Sequence, residues 1–246
     1  MQALLLSNST NHGAGYLAHA RETVLSFLDG AELTFVPYAL ADHDAYTAKV
    51  ADALSPHGIR VTGVHTAADP RDALRRAEAV FVGGGNTFRL LAALERRGLL
   101  DLLRERARAG MPYMGASAGT NIAGASIRTT NDMPIVQPTS FAALGLVPFQ
   151  INPHYLDADP SSTHNGETRE QRLAEFLEEN DAAVLGLREG TWLRLDGETA
   201  SVSGQAVQPS APGPALVFTR DAAPREVSGD VSDLLAQPAR LDVGTH

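Results

Sequence analysis

The chain of 246 residues contains no cysteine. Disulfides, thiolate metal sites and a cysteine nucleophile are therefore excluded together. Basic clusters are also missing: the net charge is −9 and Lys and Arg are scattered, which argues against a nucleic-acid partner. No stretch approaches the roughly 20 apolar residues of a membrane span. Met1 to Ser7 lacks the basic flank and the length of apolar run of a secretory signal, so a cytoplasmic location is expected. H-E-x-x-H is absent, and His154, Asp157, Asp159 and His164 lack the spacing of a regular zinc motif, so neither metal nor cofactor is expected. No internal repeat is present. What remains, 43% hydrophobic and 20% charged, is the make-up of an ordinary globular chain able to bury a sizeable core.

In the first half, strand-like and helix-like segments alternate. Ala3–Leu6, Leu33–Tyr38, Ile59–Gly63, Ala79–Val82 and Met111–Met114 read as strands. Helical periodicity lies between them at Leu17, Ala20, Val24 and Leu28, at Tyr46, Val50 and Leu54, and at Phe88, Leu91 and Leu94. This alternation implies βαβ units and an α/β fold: a mostly parallel sheet with helices on both faces. Ligands bind beyond the carboxyl ends of such strands, where the Ser7–Gly15 loop, the Gly83–Asn86 loop and Ser117 would project. Further on, Leu173, Phe176 and Leu177 mark one helix, and Asp196-Gly197 between Thr191–Leu195 and Glu198–Val202 signals a C-terminal β-hairpin. Residues 1–220 read as one α/β domain. For 221–246 the Ala-, Pro- and Asp-rich composition fixes no order.

The most informative stretch is Gly115-Ala116-Ser117-Ala118-Gly119, a G-x-S-x-G run directly after a strand. A serine in such a strand-to-helix turn is held in a tight, exposed bend, and the glycines leave room for the turn and for a substrate. A serine nucleophile needs a base, an orienting acid and donors for the oxyanion. Among eight histidines His154 stands out, because Pro153 stiffens the backbone beside it. His12, also at a strand's carboxyl edge, is the rival. Asp132, in a polar irregular segment, and Glu189, between two strand-like segments, could each orient the base or bind a substrate amine. Gly83-Gly84-Gly85-Asn86 follows a strand and opens a helix, but no phosphate-loop or dinucleotide spacing is present. It fits better as half of an oxyanion hole completed by the amide of Ala118.

Longer blocks carry a family resemblance. They are Leu4-Leu5-Leu6-Ser7-Asn8-Ser9-Thr10, Val82-Gly83-Gly84-Gly85-Asn86-Thr87-Phe88, Gly115–Gly119, Ile127–Val136, Gln150-Ile151-Asn152-Pro153-His154 and Gly166–Arg172. In order and spacing, from the first strand to about residue 220, they resemble the S51 serine peptidases, the peptidase E or aspartyl dipeptidase family. The resemblance implies a cytoplasmic, homodimeric enzyme that removes N-terminal aspartate from Asp-X dipeptides. It implies a three-layer sandwich like that of class I glutamine amidotransferases (flavodoxin-like), with serine in place of cysteine. By the same matching Ser117 is the nucleophile, His154 the base, Asp132 the third member with Glu189 as the other candidate, and Gly85 and Ala118 the oxyanion donors. Two features depart from the family: Ala116 stands where an aromatic residue is common, which implies a wider pocket, and the C-terminal tail is longer.

A substrate that carries a β-carboxylate needs a local cation in a net acidic protein. Arg169 is the first candidate, since its planar fork grips a carboxylate with two parallel bonds. Arg128 and Arg89 are alternatives, and Asn86 and His12 are further candidate substrate contacts. Two other functions remain open at this stage: a cyanophycinase-like hydrolase of β-aspartyl-arginine, and a non-catalytic sensor of acidic metabolites.

Overall fold

A computed structural model of the chain describes residues 1–158, 166–237 and 240–241. His164 and Asp159, weighed above, lie outside the described residues.

The strands are β1 (Gln2–Leu6), β2 (Leu33–Val36), β3 (Val61–Gly63), β4 (Ala79–Val82), β5 (Tyr113–Ala116), β6 (Gln150–Tyr155), β7 (Val184–Arg188), β8 (Thr191–Asp196), β9 (Thr199–Gly204), β10 (Ala215–Phe218), β11 (Arg225–Val227) and β12 (Gly229–Asp230). The α-helices are α1 (Arg21–Leu28), α2 (His43–Leu54), α3 (Pro70–Arg76), α4 (Thr87–Arg96), α5 (Leu100–Arg108), α6 (Ala118–Asn121) and α7 (Arg169–Glu179).

The main sheet has the order β12-β9-β8-β1-β5-β4-β2-β3. From β1 to β3 every pairing is parallel, while β8, β9 and β12 add on antiparallel. Strand β1 explains why its sequence is a continuous apolar run: both of its faces are covered. Leu4 and Leu6 pack with Val24, Phe27, Tyr46 and Val50 of α1 and α2. Ala3 and Leu5 face the opposite core, with Leu90, Leu91 and Leu94 of α4 and Leu103 of α5. Helices α3 and α5 were not among the sequence-predicted elements. The fifth strand begins two residues later than its sequence suggests, after Pro112, which has no N–H for the ladder.

The expected hairpin is present as β8–β9 and extends the main sheet alongside β1. A second, four-stranded sheet of order β11-β10-β7-β6 was not foreseen. Its Ile151, Leu185 and Val217 join the same core as α4 and α5, and α7 covers its other face through Leu173 and Leu177. Residues beyond 220 contribute to both sheets: β11 pairs with β10 and β12 with β9.

Candidate active site

At the carboxyl end of β5 the chain turns sharply into the single helical turn of α6. Ser117 sits at the bend with φ 51° and ψ −108°, a conformation that costs a non-glycine residue of order 1–3 kcal/mol. The flanking glycines make the bend sterically feasible. A Cβ on Gly119 would lie 2.0 Å from the carbonyl oxygen of Val82, and one on Gly115 would lie 2.5 Å from that of Gly119. The Ser117 amide donates to the Leu6 carbonyl (3.1 Å), and Thr120 Oγ1 donates to the same oxygen (2.6 Å). These bonds lock the turn to β1.

His154 comes from the second sheet. It has φ 54°, at the point where the β6–β7 register shifts between Asn152 and Tyr155. Bulges of this kind re-aim a side chain. Here the imidazole reaches back over the main sheet, with Nε2 2.9 Å from Ser117 Oγ. Its Nδ1 lies 2.6 Å from Glu189 Oε1. Glu189 occupies a two-residue turn with Gly190, where the chain passes from β7 of one sheet to β8 of the other. The hydrogen bond to His154 lowers the Glu189 carboxyl below its ordinary range; partial burial opposes the shift and the charge of His154 adds to it. The histidine and glutamate side chains are 37% and 47% exposed, so the pair opens to solvent.

Asp132 lies elsewhere. Its Oδ2 accepts from Thr87 N (2.7 Å), Thr87 Oγ1 (2.6 Å) and Thr130 Oγ1 (3.2 Å), which fastens the start of α4. Of the two acids left open by the sequence, the one on the imidazole is Glu189. Asn86 is the N-cap of α4: its Oδ1 accepts from Arg89 N and its Nδ2 donates to the Met133 carbonyl. Both polar ends of that side chain are thus engaged within the protein.

The glycine loop is best read by following its amides. Gly83 N donates to Val36 O, Asn86 N to Ala39 O and Thr87 N to Asp132, while the Gly84 amide meets the Tyr46 hydroxyl. Among the described residues neither Gly85 N nor Ala118 N has an acceptor. Gly85 has φ 134°, and a Cβ there would lie 2.6 Å from Ala39 O, so only glycine fits.

Four other candidates differ in setting. Arg169 opens α7, half-buried, and no hydrogen bond or ion pair engages it among the described residues. Burial and then Arg172 lower its guanidinium, and nearby Asp132 opposes them. Arg128 is exposed, with its guanidinium 5.9 Å from the Phe141 ring centre. Arg89 is half-buried on α4, and His12 is exposed in the turn after β1. Among the described residues no group of three or more His, Asp or Glu is placed to hold a metal. Among the described residues no helix is long and apolar enough to cross a membrane.

Arg188 was missed in the sequence. It is 1% exposed and all five of its N–H donors are used: Nε and Nη2 grip Asp157 (2.7 and 2.6 Å), Nη1 and Nη2 grip Glu226 (2.8 and 2.6 Å), and Nη1 also reaches Gly213 O (2.7 Å). Burial pulls this guanidinium down, but Glu226 and Asp157 outweigh it and raise it above its ordinary value. The node ties the residue before Glu189 to the exit of β6. An arginine ending the otherwise apolar run Val184–Leu187 was the available signal, since a buried charge demands partners.

The model of peptidase family S51 matches residues 3–203. Peptidase E of Streptomyces coelicolor is 62% identical over 249 residues, covering 100% of both chains. A Drosophila melanogaster protein named probable alpha-aspartyl dipeptidase is 56% identical over 205 residues, 82% of this chain and 85% of its own. The crystal structure of a peptidase from an acI-B1 Actinobacterium aligns at TM-score 0.63 over 92% of this chain and 96% of its own, and at 15% identity it shares the fold alone. With its bent serine, its imidazole and a match along most of its length, this chain belongs to peptidase family S51.

Proposed function

We propose that the chain is a serine dipeptidase that hydrolyses Asp-X dipeptides with a free N-terminal aspartate. The observation that carries this reading is the continuous chain Ser117 Oγ, His154 Nε2, His154 Nδ1, Glu189 Oε1, with links of 2.9 and 2.6 Å, beside two unengaged amides. His154 takes the Ser117 proton as Oγ bonds to the aspartyl carbonyl carbon, and Glu189 keeps Nδ1 protonated and stabilises the imidazolium. The amides of Gly85 and Ala118 hold the oxyanion. The C–N bond then breaks, His154 protonates the leaving amine, and water, deprotonated by His154, releases aspartate from Ser117.

Specificity for aspartate is assigned to Arg169. A half-buried cation at a helix N-terminus, beside Arg172 and without an ion-pair partner among the described residues, is unfavourable three times over. Such a placement favours a function that a substrate β-carboxylate supplies. Asp132, bonded to Thr87 and electrostatically coupled to Arg169, then keeps that cation beside the glycine loop. The name of the Drosophila relative supports the same substrate class. A homodimer in the cytoplasm belongs to this reading; light scattering at about twice the 26.0 kDa chain mass tests the dimer.

The test is a panel of X-Leu dipeptides with X as Asp, Glu, Asn and Ala, with β-Asp-Arg alongside. Cleavage confined to Asp-Leu is expected, and Arg169→Ala should lose the preference for Asp over Ala. Cleavage of β-Asp-Arg alone, or aspartate binding without turnover, would sink the proposal.

A further inference from the structure

The three groups of the proposed reaction come from three separate places: the β5–α6 bend, the bulge in β6 and the β7–β8 turn. Two of these belong to different sheets. Catalysis of this type tolerates little misplacement, since an error of about 1 Å costs on the order of a hundredfold. Some element has to hold the three in register.

One tripeptide touches all of them. The carbonyl of Leu6, last residue of β1, accepts from the Ser117 amide at 3.1 Å. The hydroxyl of Ser7 accepts from the His154 amide at 2.9 Å and donates to the Leu187 carbonyl at 2.9 Å. Asn8 Oδ1 accepts from the Gly190 amide, next to Glu189, at 2.8 Å. Ser7 is 0% and Asn8 2% exposed, so both side chains are shielded from solvent. The Ser7 hydroxyl also fills a particular vacancy. Where His154 bulges out of β6, the β6–β7 ladder is interrupted, and Ser7 Oγ bridges an amide of one strand to a carbonyl of the other across the gap. Asn8 is held in turn by its Nδ2, which donates to Thr10 O and Asn11 Oδ1.

We infer that Leu6-Ser7-Asn8 is a positioning device for the reaction, with Ser7 setting the aim of His154 and Asn8 the place of Glu189. Neither residue touches substrate. The inference rests on the dipeptidase reading for its kinetic effect, while the hydrogen-bond geometry it describes stands apart from substrate identity.

The experiment uses the full chain with Ser7→Ala and Asn8→Ala, each removing one hydrogen-bonding group. Four quantities are measured: kcat and KM on Asp-Leu, the thermal midpoint, and the downfield proton signal of the His154–Glu189 bond, identified by its loss in Glu189→Gln. The expected result is a fall in kcat of roughly tenfold to a hundredfold with KM changed by less than about twofold. The proton signal should move or broaden in both variants while they remain folded at the assay temperature. In a Glu189→Gln background Asn8→Ala should cost little more, because its effect runs through Glu189. Two folded variants with wild-type kcat and an unmoved signal would overturn the inference. If Ser7→Ala does not fold, Asn8→Ala decides by the same readouts. If the wild type cleaves no Asp-X substrate the dipeptidase reading fails instead, and the proton signal with the rate of Ser117 labelling by a phosphonate still decides this one.

Discussion

The proposed nucleophile and its proposed acid–base partners are built in opposite ways. Ser117 sits on parallel strands buried on both faces, and its bend is shaped mainly by backbone: a strained φ and glycines pressed against carbonyl oxygens, with Thr120 Oγ1 bonded to Leu6 O. His154 on the smaller sheet and Glu189 in the turn leaving it are partly open to solvent; Ser7 bonds the His154 amide, Asn8 bonds Gly190 beside Glu189, and the buried Arg188 before Glu189 bonds Asp157. Rigidity is thus concentrated at the proposed nucleophile. The proton-handling arm depends on a few polar contacts, each open to single-residue disruption.

Ser117→Ala draws the contrast most sharply. Turnover should drop by about a millionfold in kcat, read by product release from Asp-Leu, with the melting curve hardly changed. On the other arm, Glu189→Gln should lower kcat by about ten-thousand-fold. Asp132→Asn acts on the loop and on Arg169, so KM should rise more than kcat falls; the reverse ranking of the two acids would exchange their roles. Arg188→Met should leave Asp157 and Glu226 without their cation and destabilise the fold by about 3 kcal/mol, seen as a lower denaturant midpoint. Adding Asp157→Asn and Glu226→Gln should recover part of that loss.

The smallest effect concerns pH. Because the folded-state pKa of Glu189 is depressed, its contribution to stability is present above the ordinary carboxylate range and is lost as pH falls through the depressed value. The gap in thermal midpoint between wild type and Glu189→Gln should therefore narrow on acidification below that range. Since the carboxylate is half-exposed, the change should be modest. A gap that widened on acidification would mean that the His154 bond does not favour the ionised form.

Legibility in the sequence follows the same division. The apolar runs of β1 and β4 and the G-x-S-x-G bend were readable because each is a contiguous segment whose chemistry is local. The second sheet was not. Its leading strand, Gln-Ile-Asn-Pro-His-Tyr, carries a proline and buried amides in place of an alternating pattern, and its partners arrive from distant parts of the chain. Nor could the sequence choose between Asp132 and Glu189. Both are acids in polar turns, and only the crossing of β7 into β8 brings one of them to the imidazole. Asn86 looked available for substrate because a helix cap and a binding residue have the same composition.

The pairing of β11 and β12 with different sheets has a consequence for how the molecule is made. During synthesis Arg188 leaves the ribosome well before Glu226 does, so Asp157 is the only one of its two carboxylate partners present until residue 226 has emerged. Both sheets close only after residue 230, and a product terminated near 220 would present the unpaired margins of β9 and β10 to other nascent chains. The last pairings of both sheets therefore depend on residues 225–230, which are far in sequence from the strands they complete.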